Sequence, residues 1–282
     1  MSIKGKLEFA AETHVGQVRD HNEDYISCEC DLGIGVLADG MGGLNAGEVA
    51  SSMSVHLLIE DLVSYREGTG QLIEEMKTGD NADAYKQLQL ESAVVKYAIE
   101  KANSMVFHTS QTQPQCRGMG TTVVVSLFWD NRVIVGHIGD SRLYRFRDDL
   151  LEQVTKDHSF VQELFDKGLV SEEEARSSNR KNVVTRAVGV APSVEAEVHE
   201  YDALPGDIYL LCSDGLTDLV IDEDIEKSFR ELGEDLDALT KHLVTVANAN
   251  GGKDNISVIL IRVVRPYPAQ RGLIKKILNW FE

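Results

Sequence analysis

The chain has 282 residues, 43% hydrophobic and 26% charged, which is enough to bury one large core and far from a disordered composition. Asp and Glu number 46 against 28 Lys and Arg, and the formal charge of −18 argues against a nucleic-acid binder, because phosphate backbones demand a cationic surface. The start, Met1 to Lys6, leads into a polar stretch, and no apolar run reaches the roughly 18 residues of a membrane span, so a cytoplasmic protein is expected.

In chain order, Ile34 to Ala38 is a short apolar run that ends at Asp39-Gly40-Met41-Gly42-Gly43. From Asn45 the period changes, with Val49, Met53, Leu57 and Glu60 three or four apart, so a strand, a glycine-rich loop and a helix are expected. Residues 69–82 read as polar and turn-rich, and Leu88 to Val106 as a second long amphipathic helix. Thr121 to Trp129, Arg132 to Ile138 and Ser141 to Phe146 read as an antiparallel meander, with Asp130-Asn131 as its tight turn. Lys156 to Lys181 reads as an insertion or flap holding short helical pieces, one of them capped by Ser171. A strand over Asp207 to Ser213, a helix through Leu236, Leu239 and Leu243 that stops at Asn250-Gly251-Gly252, and a last strand from Ile256 follow. Arg271 to Glu282 places Ile274, Ile277, Leu278 and Phe281 on one helical face, as in a terminal helix packed on its own domain.

Chemistry is carried by acids. Asp39, Asp140 and Asp214 each sit beside a glycine at the end of an expected apolar strand, and Asp254 precedes the last strand. One Asp-Gly is a turn signal, but their recurrence would gather the carboxylates at one rim. Clustered carboxylates repel and lose hydration unless a hard cation sits among them, and oxygen-only ligands fit Mg²⁺, Mn²⁺ or Ca²⁺ better than zinc. No D-x-[DN]-x-[DN]-G loop is present, which favours a catalytic ion over calcium. A second acidic group, Asn22-Glu23-Asp24, comes with Arg19, the cation that a phosphate group needs. The four cysteines offer one close pair, Cys28-x-Cys30, and read as reduced structural thiols.

Six segments in this order resemble the metal-dependent Ser/Thr protein phosphatases of the PPM, or type-2C, group. They are Gly16-x-x-Arg19-x-x-Asn22-Glu23-Asp24, Val36 to Gly43, Gly118-Met119-Gly120-Thr121-Thr122, Ile138-Gly139-Asp140-Ser141-Arg142, Leu211 to Leu216, and Lys253-Asp254-Asn255. The resemblance implies an α+β, four-layer αββα sandwich, two antiparallel sheets flanked by helices. It also implies a catalytic domain over residues 1–266, a flap at about 156–181, and an amphipathic tail at 267–282. Two Mn²⁺ or Mg²⁺ ions per chain are implied, with a third, weaker ion of bacterial-type members.

By motif position Asp39 would lie between the two ions and Gly40 would offer its carbonyl, while Asp214 and Asp254 complete the second ion. Glu23 and Asp24 would act through water or indirectly, Asp140 with Asp214 would serve the third ion, and Arg19 would bind the substrate phosphate. The implied reaction is hydrolysis of phosphoserine and phosphothreonine in phosphoproteins by a metal-activated water, with no phosphoenzyme. A Ser/Thr kinase and its targets are the implied partners, and a monomer the implied state. The chain departs from the eukaryotic pattern at Met41, where many relatives carry a histidine thought to protonate the leaving group. Methionine donates no proton, and a water at the Asp140 ion is the alternative acid. His158, in Lys156-Asp157-His158-Ser159, reads as structural or as a substrate contact, and the other histidines carry no metal-ligand spacing. Two other readings stay open: a non-catalytic scaffold, against which the filled acidic positions argue, and a hydrolase of nucleotides or other small phosphoesters.

Overall fold

The computed structural model describes residues 3–42, 46–79, 82–171, 174, 178 and 183–269. Strands β1 (Leu7–His14) and β2 (Asp24–Glu29) flank the loop that carries Arg19, and β3 (Ile34–Met41) follows. Helices α1 (Ala46–Glu67), α2 (Gln71–Thr78), α3 (Ala82–Tyr85) and α4 (Leu90–Thr112) come next. The meander is β4 (Gly120–Thr121), β5 (Val123–Trp129), β6 (Arg132–Ile138), β7 (Arg142–Arg147) and β8 (Leu150–Gln153). Its tight turns use left-handed pairs, Asp130 and Asn131 at φ 48° and 60° and Asp148 and Asp149 at 51° and 62°, the twist that two-residue hairpins need. After α5 (Phe160–Asp166) come β9 (Glu197–Asp202), β10 (Ile208–Cys212), α6 (Asp214–Thr217), α7 (Asp222–Leu232), α8 (Leu236–Ala249) and β11 (Ile256–Val263).

All strand pairings are antiparallel, in two sheets: β1-β11-β10-β7-β8, and β2-β3-β5-β6-β9 with β4 joined to β3. Side-chain alternation along each strand sets the four layers. Leu37, Val124, Phe128, Tyr209, Leu211, Ile259 and Ile261 meet between the sheets. Their neighbours Val36, Val123 and Val125 face α1 and α4, and Leu210, Cys212, Val258 and Leu260 face α7 and α8. Both faces of the central strands β3, β5, β10 and β11 are therefore covered, which is why they read as near-continuous apolar runs. Each buried Val, Leu or Ile contributes about 1.5–3 kcal/mol, so the sandwich is a stiff frame for whatever its rims hold.

The α+β sandwich expected from the sequence is present. Among the described residues, α2, α3, α6 and α7 stand where no helix was read. Residues 69–82, taken as turns, hold α2, whose Leu72 and Met76 are one helical turn apart and buried while the rest of its face is polar. The helix α7 hides likewise, burying Ile225 and Phe229 among acids. Gly43 and Asn45, most of residues 172–182 and the tail from 270 lie outside the described residues. Ser171 does cap as expected, its Oγ accepting from Glu174 N–H at 3.2 Å while Glu174 Oε2 accepts from Ser171 N–H at 2.7 Å. Among the described residues no helix is long and apolar enough to cross a membrane.

Candidate metal centre and active site

Antiparallel order places the ends of β3, β6 and β10 at the same rim as the starts of β2 and β11. Asp39, near the end of β3, has its backbone fixed from a neighbouring strand: its N–H donates to Thr122 Oγ1 at 3.1 Å, and its carbonyl accepts from Thr122 N–H and Thr121 Oγ1, both at 2.8 Å. Asp24 opens β2 directly opposite Asp39 in the ladder. It is only 6% exposed; Oδ2 accepts from Ser213 Oγ at 2.8 Å, and Oδ1 is buried with no hydrogen-bond partner. Gly40 is required for room rather than for φ, because a Cβ there would stand 2.3 Å from Gly47 O and 2.5 Å from Glu23 O. That contact seats the first turn of α1 against the rim.

The other sheet supplies Asp214, at the head of the short helix α6 after β10, and Asp254, just before β11. A Cβ on Gly215 would lie 1.9 Å from Asn255 O, so only glycine lets these two segments meet. Asp254 Oδ1 accepts from Asn255 N–H at 2.9 Å, and Oδ2 from Arg19 Nη2 at 2.6 Å. Asn255 then clamps the Arg19 loop: its Oδ1 accepts from Glu23 N–H at 2.8 Å and its Nδ2 donates to Val15 O and His21 O at 2.9 Å. Asp140, 8% exposed, follows Gly139 at the end of β6.

The electrostatics show that these acids share one space. Burial, then Asp24, Asp214, Asp140 and Asp254, hold Asp39 well above the usual carboxylate range. Burial, then Asp140, Asp218 and Asp254, do the same to Asp214. Burial pushes Asp24 up to about 6, and burial with Asp157 pushes Asp140 up to about 6. Burial also raises Glu23. Arg19 is raised chiefly by its hydrogen bond to Asp254, and Glu23 and Asp39 also act on it.

All the residues expected at the site thus converge on one rim. Their chemistry fits a hard divalent cation: oxygen donors only, like charges packed at one rim, and an orphaned buried carboxylate oxygen on Asp24. Sequence reasoning gave no role to Thr121, Thr122, Ser213 and Asn255, which hold the acids in place, and missed Asp218 beside Asp140 and Asp214. Thr121, Thr122, Ser213 and Asn255 all stood in the quoted motifs, so a signal was present without a function attached. Of the two readings of His158 the structure shows the structural one. The residue is buried, with Nδ1 bonded to the backbone of Gly139 and Nε2 beside Glu197.

Comparison with known proteins meets this geometry. Residues 14–251 match the protein phosphatase 2C family. The serine/threonine phosphatase stp of Listeria welshimeri is 37% identical over 256 residues, covering 88% of this chain and 93% of that protein. Mycobacterium tuberculosis PstP, a serine/threonine protein phosphatase, is 37% identical over 260 residues, 92% of this chain and 45% of that protein. Its crystal structure superposes with a TM-score of 0.77 at 35% identity, covering 91% of this chain and 98% of that one. A PstP catalytic domain in complex with 2 manganese ions gives 0.75, also at 35% identity, covering 92% and 98%. Fold and rim together define a metal-dependent phosphatase. The chain belongs to the protein phosphatase 2C family, whose class is that of metal-dependent serine/threonine protein phosphatases.

Proposed function

We propose that the chain hydrolyses phosphoserine and phosphothreonine in phosphoproteins at a binuclear Mn²⁺ or Mg²⁺ centre. The observation that carries this reading is the packing of Asp24 and Asp140, both buried, with half-buried Asp39 and Asp214 at one rim, where like charges repel unless protons or cations offset them. Asp39, the Gly40 carbonyl, Asp214 and Asp254 would hold the two ions, with Asp39 common to both. Glu23 and Asp24 would act through water or indirectly, and Asp140 with Asp214 would hold a third ion. When bound, the ion pair supplies a water acidified to neutral pH and offsets charge on the phosphoryl oxygens.

Arg19 does the rest. Its guanidinium, half exposed and tied to Asp254, presents a planar fork that would take two phosphate oxygens by parallel hydrogen bonds once the bond to that carboxylate is exchanged. Met41, half-buried at the end of β3, can position but not protonate a leaving group. The working unit of the proposal is residues 1–266, which include the flap at about 156–181, with the tail 267–282 outside it. Its substrates are products of a serine/threonine kinase, and with a chain charge of −18 it favours phosphosites flanked by basic residues.

Phosphate release from a phosphothreonine peptide and from a nucleoside triphosphate, at equal concentration, tests the substrate class. The peptide is expected to turn over faster, and a preference for the nucleotide would overturn the reading.

A further inference from the structure

Gly139, which carries Asp140 at the end of β6, has both of its backbone polar groups engaged by one residue. Its N–H donates to His158 Nδ1 at 3.1 Å, and its carbonyl accepts from His158 N–H at 2.9 Å. At φ +103° it holds a conformation that glycine adopts at little cost but that needs a partner to be fixed. An amide N–H can only donate, so Nδ1 of His158 bears the lone pair and the ring hydrogen sits on Nε2. Glu197 Oε2 receives it at 3.0 Å, and His137, opposite Glu197 in the β6–β9 ladder, stacks on the ring at 4.8 Å. Arg186 Nη1 lies 3.3 Å from the same nitrogen; a guanidinium only donates, so with the hydrogen on Nε2 that contact adds no second hydrogen bond.

The ligand atoms of His137, His158 and Glu197 all lie within 4.8 Å of one another, close enough for a cation. Yet the Gly139 bond keeps a hydrogen on the nitrogen that would have to bind it. The group is therefore a hydrogen-bonded orienting device, aimed at the backbone beneath Asp140. The preceding residue works on the other side of the same turn: Asp157 accepts from Arg142 Nε at 2.9 Å and from Nη2 at 2.8 Å. The following residue opens the flap. Ser159 caps α5 and bridges to Val184, Phe160 N–H donates to Val183 O, and Thr185 N–H donates to His158 O, both at 2.8 Å.

We infer that His158 is a positioning residue for Asp140: oriented by Glu197, it fixes the Gly139 backbone, presents the Asp140 carboxylate to its ion and ties that site to the base of the flap. The inference rests on the metal role proposed above for Asp140, and the two can fail separately.

Calorimetric titration of Mn²⁺ into chelator-stripped protein reads it without turnover. Asp140→Ala is expected to abolish the weakest class of sites. His158→Ala should weaken that same class about 10-fold, the scale of an outer-shell partner, leave the tighter sites unchanged, and add nothing to Asp140→Ala in the double variant. His158→Asn, whose amide oxygen can still accept from Gly139 N–H, should restore the class, and Gly139 amide exchange should be fast in His158→Ala and slow in His158→Asn. If Asp140→Ala loses the weak class while His158→Ala binds as wild type, the inference is wrong and the reading of Asp140 stands. If Asp140→Ala binds as wild type, that reading fails and takes the inference with it. Equal weakening of every class by His158→Ala, unrescued by His158→Asn, would mean a merely structural residue. Should His158→Ala not fold, Glu197→Ala, which frees the ring at a half-exposed position, is read by the same criteria.

Discussion

Asp24 is buried and Asp39 half-buried, and both are pinned through hydroxyl groups of Ser213, Thr121 and Thr122, whereas Arg19 and Asp254 stand partly exposed and are held largely by each other. The inner side is preorganised at a cost, since its carboxylates repel one another unless protons or cations offset them. The exposed side costs little and keeps one bond that can be exchanged: the guanidinium can leave a carboxylate for a phosphate. One rim therefore combines a rigid metal cradle with an adjustable anion clamp, and the two should respond to mutation in opposite ways.

Asp39→Asn should show the largest effect and separate activity from stability. Phosphate release should fall at least about 100-fold, while the metal-free protein gains about 2–4 °C in Tm as roughly 1 kcal/mol of repulsion is relieved. A loss of Tm in the stripped variant would break the idea that the cradle is strained. On the clamp side, Arg19→Lys should lose about 10-fold or more in kcat/KM on a phosphopeptide, because a point charge replaces a fork, with Tm unchanged. Rescue by lysine to wild-type rates would remove the fork from the account. Asn255→Ala joins the two sides: removing the clamp on Glu23, Val15 and His21 should cost about 1–3 kcal/mol in chemical denaturation.

A smaller effect lies in pH. Asp24 and Asp140, pushed up to about 6, bind protons in the native state that the unfolded chain has already lost. Their contribution to metal-free stability is present below the ordinary carboxylate range and is lost as pH rises through about 6. The gain in Tm on adding Mn²⁺ should therefore be larger near pH 7.5 than near pH 5.5, and an equal gain at both would count against buried carboxylates as the ligands. Smallest is salt: rising ionic strength should raise KM for a peptide with basic flanks by a few-fold and leave a neutral one nearly unchanged.

Much of the sandwich was legible because apolar runs stop beside acid-glycine pairs and the meander turns on Asp130-Asn131, whereas the Asp148-Asp149 turn and β8 went unread. The helices α2 and α7 were not legible, since each buries only two large apolar side chains under an otherwise polar surface. The acids of the site were readable one by one from Asp-Gly punctuation and the family motifs. Their supports were not, because a hydroxyl such as Thr122 or an amide such as Asn255 gains its role from partners about 83 and 232 positions away in sequence. His158 shows the same limit: nothing local to Lys156-Asp157-His158-Ser159 points to Gly139 or Glu197.

The central claim is that the acidic rim is a metal cradle for phosphate ester hydrolysis. Its most direct test follows phosphate release from a phosphothreonine peptide while Mn²⁺ is titrated into chelator-stripped protein, with binding measured in parallel. The account predicts no turnover without metal and activity that rises in step with occupancy of the tight sites in wild type but not in Asp39→Asn. Turnover that persists in chelator, or that survives in Asp39→Asn, would contradict it.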